Sequence, residues 1–135
     1  MTVVIAYRPD EYGQAALGRG VDEARLRGSR VVVVNASSGS AYVDKAYASA
    51  EQVAALEDAL EAAGVPGEVR QPVGPDVAEQ VLATAEDVDA TLLVVGIRHR
   101  SPVGKMLLGS VAQRLLLDSP WPVFAVKPGG RHSDA

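Results

Sequence analysis

Cysteine is missing from all 135 residues, which excludes a disulfide framework and any thiolate metal centre and accords with a reducing compartment. Aromatic residues make up only 4% of the chain, too few for the stacking platforms that hold single-stranded nucleic acid. With 13 Lys and Arg against 17 Asp and Glu, for a net charge of −4, the chain also lacks the basic face of a general nucleic-acid binder. No apolar run approaches the roughly 20 residues needed to span a bilayer. The start, Met1-Thr2-Val3-Val4-Ile5, enters a strand-like run with no basic or cleavable apolar segment before it. Of the two histidines, His99 and His132, the second sits in a polar tail, and no carboxylate has ligand spacing to either, so a metal site is not indicated. Neither paired carboxylates nor a Ser-His-Asp arrangement is visible. What remains is a cytoplasmic single domain, with neither membrane nor nucleic acid expected as a partner.

What is present is alternation. Short β-branched runs at Val3 to Tyr7, Val31 to Val34, Glu68 to Val73, Leu92 to Val95 and Val123 to Val126 predict five strands. About four amphipathic helices fall between them. The first runs near Glu11 to Arg27, burying Leu17, Val21 and Ala24. The second, near Asp44 to Ala63, repeats Val53, Leu56, Leu60 and Ala63 at three and four residues and stops at Gly64. The third spans about Pro75 to Glu86 and packs through Val77, Val81 and Leu82, with proline in its first turn. The fourth runs from Ser110 to about Leu117, burying Val111, Leu115 and Leu116. Continuous apolar strands separated by such helices predict a doubly wound α/β domain, a parallel sheet covered on both faces. Asp87 and Asp89 read as a solvated turn before the fourth strand, and Trp121 as a seal beside the fifth. The tail from Gly129 to Ala135 is polar, glycine-rich and expected to be disordered.

The densest chemistry lies after the fourth strand, in Gly96-Ile97-Arg98-His99-Arg100-Ser101-Pro102-Val103-Gly104-Lys105-Met106-Leu107-Leu108-Gly109-Ser110. A glycine closes a buried strand, a basic loop follows, and Gly-Ser opens a helix whose first N–H groups lack intrahelical partners. Such an end attracts anions. Gly109 lets a ligand approach the backbone, Ser110 places a hydroxyl at the expected N-cap, and Val111 contributes only its amide. With Arg98, His99, Arg100 and Lys105 in the same loop, a phosphate-bearing ligand is the simplest reading. Gly104-Lys105 does not make a Walker loop, because Met106 replaces the required hydroxyl and His99 the first glycine.

This stretch resembles the nucleotide signature of the universal stress protein family: glycine, two residues, glycine, nine residues, then Gly-Ser or Gly-Thr. Gly96, Gly109 and Ser110 match it, and His99 replaces the second glycine. The strands recur in the order and spacing of that family, so the resemblance extends from the start to about Pro128. It implies a five-stranded sheet of order 3-2-1-4-5, the adenine-nucleotide alpha-hydrolase-like arrangement; Pro72, within the expected third strand, accords with an edge there. In that order the topology reverses between strands one and four, and ligands bind beyond their C-terminal ends.

The resemblance further implies a regulatory stress protein, not an enzyme, holding ATP or AMP, with Mg²⁺ as an optional companion. Gly96, Gly109, Ser110 and the Val111 amide would hold phosphates, with His99 and Arg100 as further phosphate partners. Tyr7 and Arg8 would lie near the ribose, and Asn35 or Ala36 near the base. Two departures bear on this. If the glycine replaced by His99 sits at positive φ, the side chain there costs roughly 1 to 2 kcal/mol. Arg8 stands where many relatives carry aspartate, and a cation cannot accept hydrogen bonds from ribose hydroxyls; it would contact phosphate or pair with Asp10. Thr91, where relatives often have aspartate, reads as an ordinary strand residue. The alternatives are a nucleotide-free dimeric interaction module of the same fold and a slow ATPase or autophosphorylating protein using Ser110, for which no general base is evident. Relatives pair through the fifth strand, implying a homodimer joined along Val123, Phe124, Ala125 and Val126.

Overall fold

The computed structural model of the chain describes residues 1–39, 46–98 and 108–129. Strands and helices alternate throughout: β1 (Thr2–Ala6), α1 (Glu11–Arg27), β2 (Arg30–Val34), α2 (Ala50–Ala62), β3 (Gly67–Arg70), α3 (Val77–Asp87), β4 (Ala90–Gly96), α4 (Ser110–Asp118) and β5 (Val123–Val126). The five strands form one parallel sheet of order β3-β2-β1-β4-β5. Successive strand residues face opposite sides, so the uninterrupted valine runs of β1 and β2 feed two cores. Val3, Ile5, Val31, Val33, Leu92 and Val94 pack with Ala16, Leu17 and Ala24 of α1 and Leu56 and Leu60 of α2. Val4, Val32, Val34, Leu93 and Val95 pack with Ala78, Val81 and Ala85 of α3 and Ala112 and Leu115 of α4. Trp121 joins this second core, as expected.

Local signals set most element ends. The Asp10 carboxylate accepts from the Gly13 amide to start α1, and Gly28, at φ 64°, ends it in a left-handed conformation that glycine adopts without strain. The second helix begins later than its periodicity suggests. Asp44 lies outside the described residues, and Ala46 to Ser49 are irregular, because the buried Asn35 amide binds the Ala46 carbonyl and the Ala48 amide. Ser49 then caps α2 in a reciprocal box with Gln52. In α3 the cap is Asp76, which leaves Pro75 outside the helix.

Two expectations fail here. Pro72 follows β3 instead of lying within it, and its carbonyl accepts from the Ser37 amide at 3.0 Å. The edge position of β3 is therefore marked by charge: Glu68 pairs with Arg30 and Arg70 at 2.8 Å each, and Arg70 with Asp87 at 2.8 Å. On α4, Ala112 and Leu115 are buried while Leu116, about 100° past Leu115 around the helix, is exposed. Asp87 ends α3, and Asp89 makes the turn into β4 at φ 56°. Among the described residues no helix is long and apolar enough to cross a membrane.

Candidate functional site

β1 and β4 are neighbours, but the chain leaves β1 into α1 on one face and reaches α4 on the other. The strand ends part at this switch point and leave a crevice. A cleft of about 410 Å³ opens there, lined by the ends of β1, β2 and β4 and the first turns of α1, α3 and α4. Val34, Ala36, Val77, Val81 and Val95 give it an apolar wall; Arg8, Asp10, Tyr12, Arg98 and Ser110 add polar groups. Tyr7, Arg8, Ala36, Gly96, Gly109, Ser110 and Val111 all line it. His99 and Arg100 lie outside the described residues.

The two glycines of the motif serve different ends. A Cβ on Gly96 would overlap the Tyr12 backbone carbonyl, so this glycine lets the end of β4 close on the first turn of α1. At Gly109 a Cβ would meet nothing within 4 Å. Gly109, not Ser110, is the N-cap of α4, and among the described residues no side chain caps it. Ser110 is the first helical residue. This corrects the expected role of its hydroxyl: the end is left open because glycine carries no capping oxygen.

The sequence profile of the universal stress protein family matches residues 1–127. The chain belongs to the universal stress protein family. It is 52% identical over 128 residues to a universal stress protein of Mycolicibacterium smegmatis, covering 95% of this chain and 98% of that one. A solved universal stress protein from Archaeoglobus fulgidus superposes with a TM-score of 0.76 at 30% identity, covering 93% of this chain and 97% of that chain. Another structure from Archaeoglobus fulgidus, a universal stress protein in complex with dAMP, superposes with a TM-score of 0.72 at 26% identity, over 93% and 96% of the two chains.

In this member of the universal stress protein family the turn after β1 is closed on itself. Arg8 Nε donates to Asp10 Oδ2 at 3.0 Å, while Asp10 Oδ1 accepts from the Gly13 amide at 2.9 Å. Arg8 thus pairs with Asp10, as one of its two expected roles has it. The Tyr7 ring belongs to the core under α1 and α2, and its hydroxyl accepts from Gln14 Nε2 at 2.9 Å. Burial raises the Tyr7 phenol above its ordinary pKa, the Gln14 bond opposes this, and the Asp10 carboxylate adds to the rise. Tyr7 therefore borders the cleft with its ring committed to the core.

Asn35 is fully buried and acts as a structural tie. Its Nδ2 donates to the carbonyls of Tyr7 at 3.0 Å and Ala46 at 2.7 Å; its Oδ1 accepts from the Ala48 amide at 2.7 Å and Gln71 Nε2 at 3.1 Å. Ala36 is the residue of that pair that lines the cleft. Thr91 stands at the opposite end of β4, in the register irregularity between Thr2 and Val3, where its hydroxyl donates to the Thr2 carbonyl at 3.2 Å.

Among the polar side chains that line the cleft, sequence reading missed Asp10, Tyr12 and Ser38 as site members. Tyr12 lies in the first turn of α1, and its ring lies 5.6 Å beneath the Arg98 guanidinium. No local signal announces a contact between α1 and the exit of β4. Among the described residues no group of three or more His, Asp or Glu side chains could hold a metal ion.

Proposed function

We propose that this universal stress protein binds an adenine nucleotide, AMP or ATP, in the cleft between β1 and β4, as a cytoplasmic regulatory binding protein and not as an enzyme. The open N-terminus of α4 at Gly109 carries this reading. Among the described residues its first amides have no side-chain cap and nothing fills the space a Cβ would take, and the positive helix end faces a cleft of ligand size. Phosphate would meet the backbone at Gly109, Ser110 and Val111, with His99 and Arg100 as further partners. The apolar wall beside Ala36 suits a base, and the end of β1 at Tyr7 and Arg8 would border the sugar. The dAMP held by the Archaeoglobus fulgidus relative supports the adenine nucleotide class.

Mg²⁺ fits less well. Asp10 is the carboxylate lining the cleft among the described residues, and both its oxygens are engaged.

Mass spectrometry of small molecules released from the purified protein tests the reading, followed by calorimetric titration with AMP and ATP. An adenine nucleotide released, or micromolar binding of either, is expected. Failure of both would favour a nucleotide-free interaction module.

We also propose a homodimer joined edge to edge along β5. Among the described residues this strand pairs only with β4, and Ala125 is exposed, whereas the opposite edge at β3 is blunted by its ion pairs. An apolar edge with free backbone groups invites pairing with an identical one.

A further inference from the structure

Among the described arginines, Arg8, Arg27, Arg30, Arg70 and Arg114 each hold a carboxylate, whereas Arg19, Arg25 and Arg98 do not, and of these three Arg98 alone lines the cleft. Arg98 lines the cleft, is exposed, and among the described residues has neither ion pair nor hydrogen bond; it rests on the Tyr12 ring. Its place is built from both sides. The Ile97 amide is tied to the Val126 carbonyl at 2.8 Å, and Gly96 lies against the Tyr12 backbone, so the chain leaves β4 directly over α1. A guanidinium laid on an aromatic face keeps its in-plane N–H donors free for an anion while losing part of its freedom beforehand.

Arg8 aside, whose charge is paired with Asp10, the two cationic features of the cleft stand on different sides of the sheet. Tyr12, and with it Arg98, belongs to α1, which packs on the face of Val3 and Ile5; the Gly109 end of α4 lies on the face of Val4 and Val95. One phosphoryl group held at α4 satisfies one of them. A chain of phosphoryl groups crossing the end of β4 satisfies both.

We infer that Arg98, shelved on Tyr12, is the residue that selects a nucleoside polyphosphate over a monophosphate. This rests on the nucleotide reading above and adds the ligand's phosphate number to it. Arg98 touches the terminal phosphoryl groups; Tyr12 is a positioning residue that holds the guanidinium plane.

The test is calorimetric titration of the full chain with ATP and AMP, for wild type, Arg98→Gln, Tyr12→Leu and Tyr12→Phe, each checked for folding by circular dichroism. Arg98→Gln is expected to weaken ATP about tenfold or more, the loss typical of a hydrogen-bonded charge, and AMP by much less. Tyr12→Leu should lower the ATP to AMP preference about two- to fivefold, and Tyr12→Phe, which keeps the ring face, should restore it. Equal losses for both nucleotides in Arg98→Gln would place the guanidinium on the nucleoside or the first phosphate and overturn the assignment. No loss for either would overturn it as well. Wild-type protein that binds neither nucleotide would sink the nucleotide reading itself, a result distinct from both.

Discussion

A Cβ on Gly96 would overlap the backbone carbonyl of Tyr12, although the two residues belong to different elements far apart in the sequence. The first glycine of the motif is thus a packing requirement between β4 and α1. Gly96→Ala should destabilise the protein by about 1 to 3 kcal/mol, the usual range for overpacking. Gly109→Ala, with open space and an ordinary φ of −65°, should stay within about 1 kcal/mol of wild type. Urea unfolding of the two variants measures the contrast.

Nucleotide binding should rank the same region differently. Gly109→Val puts a branched side chain where a phosphate would approach the α4 amides, and affinity should fall by more than about tenfold. Ser110→Ala removes one hydroxyl that caps nothing, at a cost of about 1 kcal/mol at most. Calorimetry with ATP and AMP decides between them; equal affinity for wild type and a folded Gly109→Val would remove α4 from the site.

Asp10 has two duties, the cap of α1 and the pair with Arg8. Asp10→Ala should cost about 1 kcal/mol of stability, chiefly as a lost cap, and Asp10→Asn, which keeps a capping oxygen, should recover most of it. Arg8→Ala should cost less, since the Arg8 side chain is 65% exposed and such pairs contribute under about 1 kcal/mol. Thermal melts of the three variants give the order.

The charged edge at β3 predicts an acid limb. Hydrogen bonding from Arg70, then Arg30, holds the Glu68 carboxyl below its ordinary value, and the Glu79 backbone amide followed by Arg114 does the same for Asp76. A carboxylate depressed in the folded state contributes stability above its unfolded pKa and loses it as pH falls through the folded one. Stability should therefore decline below about pH 4.5, and Glu68→Gln should flatten the decline modestly because these groups are solvent-screened. At the other extreme, the raised Tyr7 phenol favours the fold until the unfolded chain ionises, so stability should drop above about pH 10. Tyr7→Phe removes that alkaline limb; denaturation midpoints across pH read both.

Sedimentation should show a dimer at micromolar concentration and a monomer of 14.1 kDa for Ala125→Glu. Ala125 is the cleaner probe because it is exposed. Phe124 packs against the core beneath α1, with the Arg27 guanidinium 5.8 Å above its ring, so Phe124→Pro would disturb folding as well as pairing. A wild-type monomer would refute the edge contact.

The alternation of β-branched runs with helical periodicity, and caps such as Asp10 and Ser49, are local properties, so the five strands, the span of α1 and the parallel doubly wound class were legible from residues a few positions apart. The glycine spacing from Gly96 to Gly109-Ser110 also marked one end of the cleft, and the strand order came with the family resemblance it carries, since periodicity says nothing of which strands are neighbours. Tertiary structure decided what depends on distant partners. Asn35 binds Ala46 and Ala48, which delays the start of α2, and also meets Gln71, 36 residues away. Gly96 owes its identity to Tyr12, and Tyr12 shelves Arg98, only because β1 and β4 pair and bring α1 against the exit of β4. Propensity and capping act within a turn of helix, whereas the position of a side chain in a cleft is set by which strands lie side by side.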